Sequence, residues 1–451
     1  MKTLLVQESQ KISGTINISG SKNASLAIIA SAIIIEHPVK ISNVPNILDV
    51  KNLLLILKHI GFKFHFSKNE LLIYPLDKVQ SYLIPRHLTS RLRASNLIIS
   101  PLISKYGKIK ISQDSGGCNI GARPIDLHIY AIRKLGYHIT LSDQNYLSIY
   151  KNTKLFPQKI HLKKISVGAT QNAILATVYI KGTTIIKNIA IEPEIIDLIS
   201  FLCKLGFKIY LNKKSRTITV RGITREHIKA QKHTIVHQVI PDRIEAATFI
   251  ISTAINGDKI TLNNINHCHL QNILIPLTKS QIIRYTKLSK DSVQISKTEF
   301  QFQPSMTIST KPYPAFPSDV QPQIMVLMCY LNGTSKITEN VFEQRFQHVY
   351  ELQKMGANIR IKNKKAIIYG KKTLTPTKIQ CSNLRSAAAM LLAGISSKSA
   401  NKLYTIIENA DHITRGYENI TEKLRKCSIH IQVLQEKYPS TVIQDNQYLI
   451  K

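Results

Sequence analysis

Apolar residues recur along this chain at i, i+3, i+4 and i+7 in short blocks, and each block stops at a small residue before an alternating apolar and polar run. The first spacing predicts an amphipathic helix and the second a half-buried strand. Leu53 to Ile60 stops at Gly61, Ile129 to Leu135 at Gly136, Ile199 to Leu205 at Gly206, and Glu351 to Met355 at Gly356; a weaker block, Glu422 to Cys427, stops at Ser428. Glycine suits these stops because a helix turning into a strand needs positive φ just beyond its end. The stops recur roughly every 70–75 residues, with one interval twice as long. A degenerate copy is therefore expected near 281, where Leu270, Leu274 and Leu277 precede Gln281. Polar turns inside alternating runs at 64–74, 209–220 and 359–368 predict a hairpin after the helix.

The pattern amounts to six α/β units. One unit cannot cover its own apolar face, so three packing their helices together make a plausible core, and two such cores account for the chain. The 451 residues exceed what a single core usually organises, in keeping with two domains.

Composition changes this picture in three ways. A hydrophobic content of 43% supports packed cores despite a formal charge of +34. The six cysteines stand singly with no CxxC, which suggests neither a disulfide scaffold nor a zinc ribbon. The first residues turn polar too soon for a signal peptide, and no apolar run reaches the ~18 residues of a membrane span, so a soluble, cytoplasmic protein without a membrane partner is expected. The positive charge suggests polyanion binding at first sight, but its lysines are scattered among Ile and Asn, as an AT-rich coding sequence would scatter them. A nucleic-acid footprint gathers its basic residues on one face, so no specific nucleic-acid partner is expected.

Candidate chemistry concentrates in turns that open apolar helices. Glycines 116, 117 and 121 surround Cys118, and Arg123-Pro124 leads into a helix whose first turn carries Asp126. Such a loop permits movement and close backbone approach, and a neighbouring arginine both activates a thiol and binds an anion. Gly20-Ser21-Lys22-Asn23 places a lysine at a helix start, a position suited to phosphate. Similar openings occur at Arg93, Lys164–Ser166, Asp242-Arg243, Ser318-Asp319, Asn383–Arg385 and Arg415–Glu418, and they would converge if the units pack pseudo-symmetrically; each has a plain alternative as a helix cap or salt bridge. His267, Cys268 and His269 read as consecutive strand residues pointing in alternate directions, which argues against a metal site. Cys203 and Cys427 read as core thiols on apolar helix faces.

These motifs, in this order and over essentially the whole chain, resemble the enolpyruvyl transferases, in the branch that uses a UDP-sugar. The resemblance implies an α/β (α+β) fold, an inside-out α/β barrel of two domains with three βαβαββ units each. One domain would comprise 1–22 plus 240–451 and the other, carrying the Cys118 loop, 23–239. It implies transfer of the enolpyruvyl group of phosphoenolpyruvate to the 3′-hydroxyl of UDP-N-acetylglucosamine by addition and elimination, releasing phosphate, with no cofactor, metal or protein partner. Cys118 would be the loop acid and the thiol alkylated by fosfomycin, and Asp319 the carboxylate near the sugar hydroxyl. Lys22, Arg123 and Arg415 would hold phosphoenolpyruvate, with Arg345, Arg385 and Asn383 lining the same cavity. Asn23, Arg93, Arg123, Pro124, Ile125, Asp126, Leu127, Lys164, Ile165, Ser166, Val167, Asp319 and Val341 would contact the UDP-sugar.

Three departures from the family pattern stand out: Asn383 replaces an aspartate, Thr414 replaces another, and the glycine-rich approach to Pro241 is missing. The first removes a carboxylate from the cavity and predicts slower turnover. The competing readings are shikimate 3-phosphate as acceptor, a relative that binds substrates with little turnover, and a polyanion-binding protein. The Cys118 loop and Asp126-Leu127-His128 point to the UDP-sugar branch.

Overall fold

The computed structural model describes residues 2–7, 11–114, 116, 125–142, 144–230, 234–298, 304–370, 373–401 and 403–435. Six four-stranded sheets share one design. In one of them Lys159–His161 pairs parallel with Gly182–Lys187, which pairs antiparallel with Thr217–Gly222, which pairs antiparallel with Lys208–Asn212. Helix Val167–Thr177 crosses between the two parallel strands, and helix Pro193–Lys204 leads into the hairpin. The unit is thus βαβαββ, as the resemblance implies.

The two helices of each unit follow different rules. The second is the amphipathic one: Leu48–Ile60, Asp126–Lys134, Pro193–Lys204, His267–Lys279, Val349–Lys354 and Ile420–Arg425. All six stop residues beyond them take positive φ, Gly61 (113°), Gly136 (95°), Gly206 (91°), Gln281 (52°), Gly356 (89°) and Ser428 (63°). The expected copy at Gln281 is therefore real, and its backbone takes the same turn without the glycine. The first helix of each unit is apolar nearly all round, as a helix buried on every face must be. Gln321–Tyr330 is buried from Gln321 to Cys329, and Leu384–Ser396 along its whole length. Three such helices form the centre of each barrel with the sheets outside, which is the inside-out arrangement.

Buried apolar residues form two clusters, one drawn from 24–239 and the other from 4–18 and 244–431. The chain passes between them twice. Ile12–Asn17 lies parallel to Gly257–Asn263 in the second cluster's sheets, and Ile235–Gln238 lies parallel to Val39–Ser42 in the first's. The two passages meet side by side, with Ser21 N–H donating to Ile240 O (2.7 Å) and Asp242 N–H to Ser19 O (2.9 Å).

Two local expectations are corrected. His267, Cys268 and His269 open helix His267–Lys279, where Asn266 caps the N-terminus, and do not lie on a strand. The helix carrying Leu270, Leu274 and Leu277 simply begins three residues earlier than those leucines indicate. Cys203 is exposed at the end of its helix and is no core thiol, because the apolar stripe of Pro193–Lys204 runs through Leu198, Phe201 and Leu202 instead. Cys427 is buried, and burial pushes its thiol up to about 11. Among the described residues no helix is long and apolar enough to cross a membrane.

Candidate active site

The polar residues that open the central helices are caps first. Ser21 Oγ accepts from Ala24 N–H, Ser166 Oγ from Ala169 N–H, and Asp242 Oδ1 from Ile244 and Glu245 N–H. Each satisfies donors that a buried helix end leaves without partners, a contribution of about 1 kcal/mol. The Ser21 and Asp242 caps lie side by side where the chain passes between the barrels, with Lys22 N–H donating to Asp242 Oδ2 (3.0 Å). Lys22 and Asn23 begin helix Lys22–Ser31, Arg93 begins the 3₁₀ turn Arg93–Ile98, and Ile165 and Ser166 lead into Val167.

One cluster belongs to the second barrel. The turn Ser318–Val320 presents Asp319, whose carboxylate accepts from Arg345 Nη2 (2.5 Å) and Arg385 Nη2 (2.8 Å). Arg345 is nearly inaccessible and also donates from Nε to Ser318 O (3.1 Å). Burial by itself disfavours an ionised Asp319, but the Arg385 and Arg345 guanidiniums outweigh it, with Lys22 adding to them, and hold the carboxyl far below its usual range. The residue is a fixed anion.

A second cluster joins the barrels. Asp49, buried in the first turn of Leu48–Ile60, takes Lys22 Nζ on Oδ2 (2.7 Å) and Arg415 Nε on Oδ1 (3.0 Å). Lys22 and Arg415 lie 393 residues apart in sequence order and share one carboxylate only through the fold; the contact between Arg415 and Asp49 alone spans 366 positions. Asp49 was not among the residues singled out from the sequence. Its signal was available: an acid four residues ahead of Leu53 and seven ahead of Ile56 sits on the buried side of an amphipathic helix, where an unpaired charge is costly.

A third group lies on the first barrel. Asp126 starts its helix and is exposed, Ile125 is buried and Leu127 packs against the core. His128 accepts from Asn172 Nδ2 at Nδ1 (3.0 Å), which places its proton on Nε2. Burial, aided by Arg93, drives its pKa down to about 4, so the ring is neutral. Its Cε1 would lie 2.8 Å from a Cβ at residue 168, so glycine there lets the Ser166 turn close on the ring. This ties the Asp126–His128 motif to Lys164–Val167; Lys164 is exposed.

Asn383 caps helix Leu384–Ser396, its Oδ1 accepting from Arg385 and Ser386 N–H (3.1 and 3.0 Å) while Nδ2 donates to Ser382 Oγ and Gln347 Oε1. The amide therefore keeps an aspartate's capping role without its charge. Thr414 Oγ1 is bonded to Asp411 O in the turn before Arg415. Val341 is exposed, held through its N–H by Glu339. Arg243 reaches across to Glu194 of the first barrel (3.0 Å) and pairs with neither Asp49 nor Asp319. Cys118, Arg123 and Pro124 lie outside the described residues; Gly116, which precedes them, donates to Thr89 O (2.9 Å) and sits where a Cβ would meet Ser90 O at 1.7 Å. Among the described residues no group of His, Cys, Asp and Glu is placed to hold a metal ion.

Comparison with known proteins places this geometry. The family described as EPSP synthase (3-phosphoshikimate 1-carboxyvinyltransferase) matches residues 6–424. A UDP-N-acetylglucosamine 1-carboxyvinyltransferase of Wolbachia sp. subsp. Brugia malayi is 39% identical over 384 residues, covering 84% of this chain and 86% of its own. UDP-N-acetylglucosamine 1-carboxyvinyltransferase 1 of Clostridium perfringens is 38% identical over 83% of this chain and 86% of its own. The fold is shared with the enolpyruvyl transferase NikO from Streptomyces tendae, at TM-score 0.84 and 21% identity over 96% of this chain and 98% of that one. EPSP synthase from Acinetobacter baumannii shares it at TM-score 0.72 and 15% identity, over 96% of this chain and 100% of that one. With a family match spanning both barrels and relatives of this identity over more than four fifths of its length, the chain belongs to the EPSP synthase family of enolpyruvyl (1-carboxyvinyl) transferases.

Proposed function

We propose that the chain transfers the enolpyruvyl group of phosphoenolpyruvate to the 3′-hydroxyl of UDP-N-acetylglucosamine and releases phosphate, the first committed step of peptidoglycan synthesis. The observation that carries the reading is the pairing of four cations with two buried or half-buried carboxylates between the barrels: Lys22 and Arg415 on Asp49, Arg345 and Arg385 on Asp319. The excess positive charge suits a substrate bearing both a phosphate and a carboxylate, and the relatives named above are called after the same transfer.

The chemistry needs a proton delivered to C3 of phosphoenolpyruvate while the sugar hydroxyl loses one. Addition then gives a tetrahedral phospho-ketal, and loss of phosphate from C2 together with a proton from the new C3 methyl restores the alkene. In this reading Asp319 accepts the hydrogen bond of the 3′-hydroxyl and orients its oxygen. Its two arginines keep it ionised at rest and weaken it as a base, and transfer of a guanidinium to the substrate anion restores that basicity. Lys22 and Arg415 stabilise the charge of the departing phosphate, and Cys118 supplies the proton from its glycine-rich loop. Ser166, Val167 and the neutral His128 hold the first barrel's side of the sugar nucleotide.

A phosphate-release assay with phosphoenolpyruvate tests this. Release that requires UDP-N-acetylglucosamine, and does not occur with shikimate 3-phosphate, is the expected result. Binding of the sugar nucleotide without release would sink the catalytic reading. Fosfomycin labelling that disappears in Cys118→Ala checks the assignment of the loop.

A further inference from the structure

The segment Arg415–Glu418 alternates between the two barrels. Tyr417 is rooted in the second, its hydroxyl bonded with Thr248 (2.8 Å) and Gln323 (3.4 Å) at the buried centre. Gly416 lies so close to Leu384 that a Cβ would come within 2.5 Å of its side chain. The residues on either side reach across instead. Arg415 holds Asp49, and Glu418 Oε1 accepts from both Asn46 N–H (2.9 Å) and Asn69 Nδ2 (2.8 Å) of the first barrel. Asn69 also donates to Val44 O, and Val44 N–H donates to Asn69 O, so the corner that Glu418 grips is itself stiff. Asn46 lies just ahead of Leu48–Ile60, the helix whose first turn carries Asp49.

From this geometry we infer that Glu418 is a positioning residue, the second point of a clasp that closes the two barrels on each other and sets Arg415 against Asp49 and Lys22. The inference rests on the enolpyruvyl-transfer reading for its kinetic consequence and on the geometry alone for its structural one. A single contact at Arg415 leaves the segment free to pivot about Tyr417. A second contact one side chain beyond it fixes the angle, and it does so through neutral donors that no substrate anion competes for. The clasp therefore persists when phosphoenolpyruvate draws Lys22 and Arg415 away from Asp49.

The test compares Glu418→Ala with Glu418→Gln in the full chain, since the glutamine oxygen still accepts both hydrogen bonds. Losing the clasp lowers the population of the closed form and raises the apparent substrate constant by the same factor, while a saturated enzyme is driven closed. Glu418→Ala is expected to raise KM for phosphoenolpyruvate about fivefold or more with kcat within about twofold, and Glu418→Gln to match the parent. Small-angle scattering in the presence of UDP-N-acetylglucosamine should show Glu418→Ala more extended than the parent. An unchanged KM and radius in Glu418→Ala, or equal damage in Glu418→Gln, would overturn the clasp. If Glu418→Ala fails to fold, Asn69→Gly removes one of the two contacts from the other side while tolerating the φ of 63° there, and a smaller rise in KM in the same direction is expected. A parent that releases no phosphate would refute the reaction and leave the scattering comparison to decide the clasp.

Discussion

At the scale of single residues the balance is set by carboxylates that stay charged because cations flank them. Asp319 carries its charge because two guanidiniums outweigh the cost of burying it, so removing it strands both. Asp319→Asn should lower kcat by about two orders of magnitude or more, read by phosphate release, and should also lower the thermal midpoint near neutral pH. The folded carboxyl lies below its unfolded value. Its stabilisation is thus complete above the unfolded value, about 4, and is lost as pH falls beneath it. The gap in thermal midpoint between parent and variant should therefore narrow between neutral pH and pH 3, and a gap that widens in acid would contradict the assignment. At Asn383 the capping bonds survive and the charge does not, so Asn383→Asp is expected to release phosphate as fast as the parent or faster, because a negative charge at a helix start is favoured and returns a carboxylate to the cavity. A slower aspartate variant would refute the view that Asn383 limits turnover. The sequence showed Asp319, Arg345 and Arg385 as separate motifs. It did not show that Asp49 binds Lys22 to Arg415, because a carboxylate's partners are fixed by distance in space and these lie at opposite ends of the chain.

Elements differ in how plainly they announce themselves. The outer helices carry an apolar stripe and a stop residue, so even the copy without glycine could be located at Gln281. The inner helices bury every face, which erases the 3.6-residue rhythm, and only their short polar openings mark them. Gln281 holds φ at 52°, a region where a side chain crowds the backbone and glycine does not. Gln281→Gly should raise stability by about 0.5–1 kcal/mol, measured as a shift in the urea midpoint at constant slope. A fall would mean that the glutamine side chain contributes more than its backbone costs.

For the molecule as a whole, the charge of +34 is expected to act as a field more than as a set of contacts. Four of the cations, Lys22, Arg345, Arg385 and Arg415, are held on Asp49 and Asp319. Such a field draws anionic substrates inward at low salt and is screened within about 10 Å at 0.1 M. Raising the salt from 0.05 to 0.5 M, on the order of a threefold shortening of that range, should reduce kcat/KM for phosphoenolpyruvate while leaving kcat nearly unchanged. Equal effects on both would exclude steering. The six-unit repeat and the family pattern were determined by the sequence, since each depends on residues near one another along the chain, and the two barrels followed from the resemblance that pattern carries. Tertiary structure alone decided which cation meets which carboxylate, that Arg243 holds Glu194, and that Glu418 crosses to Asn46 and Asn69. Those pairings join residues from 26 to 372 positions apart, and their energies fall so steeply with distance that the longest of them, Arg415 on Asp49 and Glu418 on Asn46, exist only once both barrels have folded and met.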